Sequence, residues 1–493
     1  MVFYRARKLS LRRTALLTGD IVCVFGSIFL SAVWRLGFSD AVVFCFGQHM
    51  FAMFGSTVIF GLVFYAGGMY ERKALTHKDG SYFLPLITVA IALVITIVVF
   101  YARYHLGIGR GVLSLAGVFI FIGTWAMRYA YRTAVGHGML SKKALVVGEG
   151  AELEDVITLV NRTEDPGIKL NGCVTLKRLP SGSFISGVPV VGTVGELKEC
   201  AAAFETETII VATSLAHEPV LLRLLRPLRW GGIEVLDFVG LHEILAQEIP
   251  INHINDEWLL NAAMNNSVIH IRQIKRIMDV TIALTGLLVC APICLLAALA
   301  VKLDSPGPVF FRQRRSGRDG RVYTLIKFRT MREDAEAKSG AVWAGKRDSR
   351  VTRIGNYFRK WRVDEIPQLV NVLRGEMSLV GPRPERPEFV ETLDNAIPFY
   401  KERLLVPPGI TGWAQVKYPY AASIEAARRK LQYDLYYIKH MSFFLDCLIL
   451  LRTFKTIIVG LTHSEEEAPD ENTGGPGKII NVPVPPAEEI KTA

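Results

Sequence analysis

Five stretches of this chain are apolar for long enough to cross or enter a bilayer, and that limits its fold more than any other feature. They lie near Ala15–Val33, Val42–Tyr65, Phe83–Tyr101, Val112–Ala130 and Val280–Val301. A helix rises about 1.5 Å per residue, so about 20 apolar residues cover a hydrocarbon core of roughly 30 Å, and within lipid a helix satisfies its own backbone polar groups. Half of the 493 residues are hydrophobic, only 21% are charged, and the mean hydropathy is +0.29, a balance that argues against a purely soluble chain. The length predicts two or three folded units.

The first four runs predict a four-helix transmembrane domain over residues 1–135. The first is not read as a cleavable signal, because three further spans follow it and no small-residue cleavage site does. Arg5, Arg7, Lys8, Arg12 and Arg13 precede it; Arg72, Lys73 and Lys78 lie between the second and third runs; Arg128 stands at the end of the fourth, with Arg132, Lys142 and Lys143 after it. The other two connections are short and less basic, which places both ends of this domain on the cytoplasmic face. The formal net charge of +11 suits the same membrane surface, and without a recognition motif it implies no nucleic-acid partner. Seven scattered cysteines with no CxxC pair imply neither a disulfide framework nor a zinc site.

From residue 142 to about 255 the pattern changes to alternating strand and helix. Ala144–Gly148 reads as a buried strand leading into Gly148-Glu149-Gly150; a helix around Val194–Phe204 and a strand at Thr208–Ala212 follow. This is a βα pattern of Rossmann type. Its glycine signature is incomplete, because Ala151-Glu152-Leu153 stands where a third glycine would let the backbone approach a pyrophosphate. A dinucleotide site and a structural module that has lost its ligand both remain open.

The fifth run has basic residues on both sides: Arg272, Lys275 and Arg276 before it, Lys302, Arg312, Arg314 and Arg315 after it. A full crossing would carry everything downstream to the opposite face. Pro292 sits mid-run, where its missing N–H and its ring disturb the helix ladder. The expectation is a re-entrant membrane hairpin broken at Ala291-Pro292; the alternative is a fifth span with a proline kink.

Downstream, five motifs follow in order: Ser305-Pro-Gly-Pro-Val-Phe-Phe-Arg-Gln-Arg-Arg315, Lys327-Phe-Arg-Thr-Met331, Asp364-Glu-Ile-Pro-Gln-Leu-Val-Asn371, Gly375-Glu-Met-Ser-Leu-Val-Gly-Pro-Arg-Pro384 and Pro408-Gly-Ile-Thr-Gly-Trp-Ala-Gln415. Together they resemble the bacterial sugar transferases, the monotopic phosphoglycosyl transferase superfamily, over about Ile274–Thr462. The parts before them resemble its longer members, such as undecaprenyl-phosphate glucose phosphotransferases, which initiate exopolysaccharide or capsule repeat units. One departure is Ala291-Pro292, where the family's hairpin often breaks at Ser-Pro. The resemblance implies a mostly helical catalytic domain over residues 270–462, preceded by the transmembrane domain (1–135) and the Rossmann-like α/β domain (142–255). It also implies transfer of a sugar-1-phosphate from a UDP-sugar to undecaprenyl phosphate with release of UMP, at the bacterial inner membrane. Residues 463–493, rich in Glu, Pro and Gly, read as a disordered tail. Met441–Leu461 is either an interfacial helix or a packed one.

The residues themselves suggest how this would work. Adjacent acidic pairs recur in the chain, but Asp364-Glu365 is followed by Pro367 and an apolar helical spacing, so Asp364 is expected at a helix N-cap, where free N–H groups favour its ionised form. An ionised carboxylate can attack phosphorus, which makes Asp364 the expected nucleophile. Two substrate phosphates call for cations, and Lys327, Arg329, Arg353, Arg359 and Arg383 are the expected binders. By the resemblance Glu365 is the ligand of Mg2+. Glu376, Gln415 and Asp434 are further expected site members. A membrane-bound epimerase would need an intact glycine loop and a Tyr-x-x-x-Lys pair, and neither is apparent. A non-enzymatic scaffold in a polysaccharide assembly, with homo-oligomer and assembly partners, is the remaining class. The motifs do not name the sugar.

Overall fold

The structure, a computed structural model, describes residues 7–70, 75, 83–101, 109–136, 141–163, 166–180, 182–213, 218–264, 268–332, 350–418 and 423–460. The expected tail, and with it residues 463–493, lies outside the described residues. The chain divides into two compact units that meet between Ala246 and Gln247.

The first unit opens with helices α1 (Arg7–Leu36), α2 (Phe38–Val43), α3 (Met50–Ala66), α4 (Phe83–Tyr101) and α5 (Arg110–Gly136). Of the four expected spans, two are helices long and apolar enough to cross a bilayer, Thr14–Leu36 and Arg110–Val135. The second is interrupted: a π-helical turn at Phe44–Gln48 separates α2 from α3, and the two pieces are bent by 77°. The third is the shorter apolar helix Leu84–Phe100, within the 19-residue α4, at the low end of the length that crosses a bilayer. Arg128, expected as a cytoplasmic flank, is instead buried inside the bundle. Its Nη1 and Nη2 donate to both carboxylate oxygens of Asp20 at 2.9 and 2.7 Å, and the Tyr70 hydroxyl donates to Asp20 at 2.7 Å. A charge is tolerated there because a bidentate partner faces it.

After α5 the periodicity of two takes over, and β1 (Lys142–Gly148), α6 (Gly150–Arg162), β2 (Ile168–Thr175), β3 (Phe184–Ile185), β4 (Val188–Thr193), α7 (Leu197–Ala203), β5 (Thr208–Ala212), α8 (Pro219–Trp230), β6 (Glu234–Asp237) and α9 (Phe238–Ala246) follow. The sheet order is β3-β4-β2-β1-β5-β6, parallel except for β3, which is the doubly wound Rossmann order with a hairpin on one edge. Alternation along β1 explains the two layers. Ala144 and Val146 pack with Leu153, Val156 and Leu241, while Leu145 and Val147 pack with Leu197, Leu221 and Leu225. At Gly148 a Cβ would stand 2.4 Å from the Ala212 carbonyl, so the crossover needs glycine whether or not a ligand binds.

The second unit comprises α10 (Asp256–Met264), α11 (Val268–Asp304), β7 (Phe310–Ser316), β8 (Val322–Phe328), α12 (Arg353–Trp361), α13 (Gln368–Arg374), β9 (Ser378–Val380), α14 (Pro387–Ala396), β10 (Gly409–Thr411), α15 (Trp413–Lys417), α16 (Ile424–His440) and α17 (Phe443–Gly460). Its core joins Ala283, Leu325, Val372, Leu379, Trp413, Tyr437 and Ile449, so α17 packs as a core helix along one face. The break expected at Ala291-Pro292 is not a turn: both residues lie within α11, since losing one ladder bond at a proline need not interrupt the helix on either side. Two parts of α11 are fastened to this unit. Lys275 pairs with Asp446 at 2.7 Å, and Asp279 accepts from Ser378 Oγ at 2.7 Å; further on, Ala297 and Val301 pack on Phe328, and Asp304 accepts from the Ile354 N–H. Between them Leu288 and Leu295 are 70% and 74% exposed.

Candidate active site

An antiparallel ribbon and a proline-flanked turn contribute to one basic cavity of about 520 Å³. In the ribbon Phe311 stands opposite Lys327 and Arg315 opposite Tyr323. Alternation therefore turns Phe311, Gln313, Arg315 and Lys327 to one face, and all four line the cavity. Lys327 Nζ lies 5.1 Å from the Phe311 ring centre. The second wall is the Gly-Pro-Arg-Pro turn. The backbones of β9 and β10 meet so closely at its start that a Cβ on Gly409 would lie 2.1 Å from the Gly381 nitrogen, which explains the glycines in both motifs. Arg383 projects from this turn.

The dyad adjoins that wall. Asp364 and Glu365 occupy the 3₁₀ turn Val363–Glu365, entered through Arg362 at φ 56°. Asp364 is not an N-cap as expected: the N-cap of α13 is Pro367, and Asp364 lies inside the preceding helical turn. Its Oδ1 is buried without a hydrogen-bond partner. Burial, then the neighbouring Glu365 charge, pushes the Asp364 carboxyl up to about 6, against the pull of Lys327, Arg362 and Arg359. Glu365 has the opposite fate. Burial disfavours its charge, but Arg383 and Arg362 donate to Oε1 at 3.1 and 3.0 Å and hold it below the usual range. Lys327 is pushed down to about 8 by burial, despite the attraction of Asp364, because Arg315, Arg359 and Arg383 crowd it.

The other expected residues divide between the cavity and its supports. Arg329 lines the cavity; its Nη2 donates to the Ser305 carbonyl at 2.7 Å, while Nε and Nη1 are buried without partners. Arg359 also lines it and donates from Nε to Thr330 Oγ1 at 3.0 Å. Arg353, six residues earlier on α12, is exposed and outside the cavity wall, because six residues turn a helix by about 600° and leave the two arginines on different faces. Glu376 accepts from Asn371 Nδ2 at 2.6 Å and is a strut between α13 and β9. Gln415 donates to the Ile410 carbonyl at 3.4 Å, with Oε1 buried and unpartnered, away from the cavity. Asp434 acts one residue removed: it pairs at 2.9 Å with Arg403, which also donates to the Tyr400 hydroxyl at 2.7 Å and to the Arg383 carbonyl at 3.0 Å.

Sequence reasoning missed Arg315, Arg403, Tyr400, Lys430 and Glu385, all on the cavity wall. Arg315 carried a signal, since alternation from Phe311 predicts its face. Arg403 and Tyr400 carried none, because only tertiary contact with Asp434 and Arg383 gives them a role. Ten wall residues are Lys or Arg and one, Glu385, is acidic, so the cavity suits a ligand with several negative charges. No cluster of three potential metal ligands occurs among the described residues. A hard cation needs less: one or two carboxylates complete its shell with water and phosphate oxygens, and the adjacent Asp364 and Glu365 fit that pattern.

A family profile described as Bacterial sugar transferase matches residues 270–460, which contain the cavity and the dyad. A protein of Aeromonas hydrophila, the UDP-N-acetylgalactosamine-undecaprenyl-phosphate N-acetylgalactosaminephosphotransferase, is 40% identical over 57% of this chain, which spans 62% of that relative's length. The UDP-glucose:undecaprenyl-phosphate glucose-1-phosphate transferase of Escherichia coli K12 is 40% identical over 38% of this chain and 41% of its own. The enzyme of the same printed name from Xanthomonas campestris pv. campestris is 31% identical over 70% of this chain and 73% of its own length. That last match extends well upstream of the dyad-bearing unit, and the chain belongs to the bacterial sugar transferase family.

Proposed function

We propose that this protein transfers a sugar-1-phosphate from a UDP-sugar to undecaprenyl phosphate, releasing UMP, through an aspartyl phosphosugar intermediate. The observation that carries this reading is a buried, unpartnered Asp364 beside Glu365, which is paired with Arg383, one of ten cations that line the adjoining cavity. Lys327, Arg359 and Arg383 neutralise the diphosphate and orient it. An oxygen of Asp364 attacks the sugar-proximal phosphorus, the pyrophosphate P–O bond breaks, and its electrons leave with UMP. A phosphate oxygen of the lipid then attacks the same phosphorus and returns the Asp364 carboxylate. Glu365 would hold Mg2+, which when bound would supply charge neutralisation for the phosphoryl oxygens.

The same reading puts the dyad on the cytoplasmic face of a bacterial inner membrane, in initiation of an exopolysaccharide or capsule. Insertion of the apolar, exposed middle of α11 into the bilayer would suit it, and Arg272–Asp304 is apolar over a length that reaches into or across lipid. The test is incubation of purified protein with UDP-sugar labelled in the sugar, without lipid acceptor. Label should stay on the wild-type protein and be absent from Asp364→Asn. Undiminished labelling of that variant sinks the nucleophile assignment, and no covalent species in a competent wild type favours direct transfer.

A further inference from the structure

The Rossmann-like part carries a surface that the transferase reading does not use. Helix α8 buries Leu221 and Leu225 against the sheet and turns Arg223, Arg226, Arg229 and Trp230 outward, with Trp230 88% exposed. None of these three arginines has an ion-pair partner among the described residues. The sheet topology says which end of the domain this is. Strands β1, β5 and β6 are parallel, so α8, which connects β5 to β6, ends where the strands begin. The local bonds agree: Glu234, four residues after Trp230, pairs with Lys142 at the start of β1, and its N–H donates to the Glu207 carbonyl. Lys142 follows the end of α5 at Gly136 by six residues, a reach of at most about 20 Å. The span Arg110–Val135 is long and apolar enough to cross a bilayer. Trp230, Arg226 and Arg229 thus stand at the end of the sheet tethered to a membrane helix. Exposed Arg162, closing α6, shares that end; of the acids described there, Glu205 and Glu234 are engaged by Lys143 and Lys142, and Glu207 stands exposed just before β5.

We propose that the C-terminal turn of α8 docks on the headgroup layer of the membrane that holds α5, with Trp230 at the interface and Arg226 and Arg229 on anionic phospholipid. Tryptophan prefers this depth because its ring is apolar and its N–H polar. Each arginine near an anionic surface weighs roughly a factor of five in the partition. The sheet would then be held at a fixed tilt to the bilayer and not hang from its linker. This proposal does not rest on the transferase chemistry.

The full chain is placed in nanodiscs of phosphatidylcholine alone or with phosphatidylglycerol. Backbone hydrogen exchange over residues 226–233 should slow severalfold in the anionic discs, and Arg226→Glu with Arg229→Glu should abolish that difference. In a second measurement, a fluorophore on Trp230→Cys should be quenched by brominated lipid, whereas one on Glu152→Cys, at the opposite end of the sheet, should not. Equal exchange in both lipids, or no quenching at position 230, overturns the proposal. So does protection that appears in lipid-free detergent and grows with protein concentration, which would assign the face to a second copy of the chain.

Discussion

Replacing Asp364 by asparagine should remove turnover and make the protein more stable. In the folded protein the carboxyl titrates at about 6, against an ordinary 3.8, chiefly because burial strips its water. A difference of about 2 units corresponds to about 3 kcal/mol. The direction follows from which state holds the proton more tightly. Here the native state does, so the group's contribution is complete below about 3.8 and is lost as pH rises through about 6. Asparagine keeps the shape and never ionises. The gain of Asp364→Asn should therefore approach 3 kcal/mol at pH 8, fall to about half that at pH 5, and vanish in stronger acid. For a unit of this size it raises the melting temperature by about 6–12 °C at pH 8. The assay is thermal unfolding of the purified protein in detergent with a chelator, at pH 5 and 8, so that no cation compensates the carboxylate. A variant that melts below wild type at pH 8, or gains equally at both pH values, would refute the reasoning.

Wild-type kcat/KM should follow a bell in pH, rising through a limb at or below about 6 as Asp364 ionises and falling near about 8 as Lys327 loses its proton; a flat profile over that range contradicts both assignments. Glu365→Gln removes the carboxylate that fixes Arg383 and Arg362, so both half-reactions should slow and the Mg2+ requirement should rise, read from a metal titration of UMP release. Asp20→Asn leaves Arg128 buried without its counter-charge and should cost about 3–5 kcal/mol, whereas removing both charges together should cost less; detergent melting curves distinguish the two. A chain starting at Gln247 keeps the bonds from Trp413 Nε1 to the Gln247 carbonyl and from the Ile249 N–H to the Gln432 carbonyl, and should label with UDP-sugar. One starting near His270 loses both and should melt lower, and failure of a well-folded Gln247 chain to label would show that the upstream unit supplies part of the site.

Where local pattern and tertiary structure agree, the sequence was enough. The strand at Ala144–Gly148, the apolar length of Thr14–Leu36 and the family resemblance of the ordered motifs were legible because a few neighbouring residues carry the signal. Apolar length could not reveal the π-helical turn at Phe44–Gln48, since hydropathy is indifferent to a change in helix register. Nor could it distinguish Arg128 on a membrane surface from Arg128 paired with Asp20, a residue 108 positions away. Arg353 and Arg359 looked equivalent until the phase of α12 separated them. The N-cap expectation for Asp364 failed for a related reason: Pro367 does lie near the start of α13, but an earlier 3₁₀ turn already encloses Asp364 and takes away the free N–H groups.

That failure bears on the chemistry. An N-capping carboxylate is comfortable, ionised and hydrogen-bonded, and attack on phosphorus would have to give up those bonds. Asp364 has an oxygen with no such bond to lose, and its charge is held at a cost by burial. Bond formation to phosphorus spreads that charge into the phosphoryl group, where Lys327, Arg359 and Arg383 meet it, so part of the burial cost is recovered on the way to the transition state. Glu365 does not take the same part, because two arginines already donate to its Oε1 and hold its proton affinity down. Two adjacent carboxylates thus acquire different work from their surroundings alone: the unpartnered one is poised to attack, and the paired one keeps Arg383 aimed at the diphosphate.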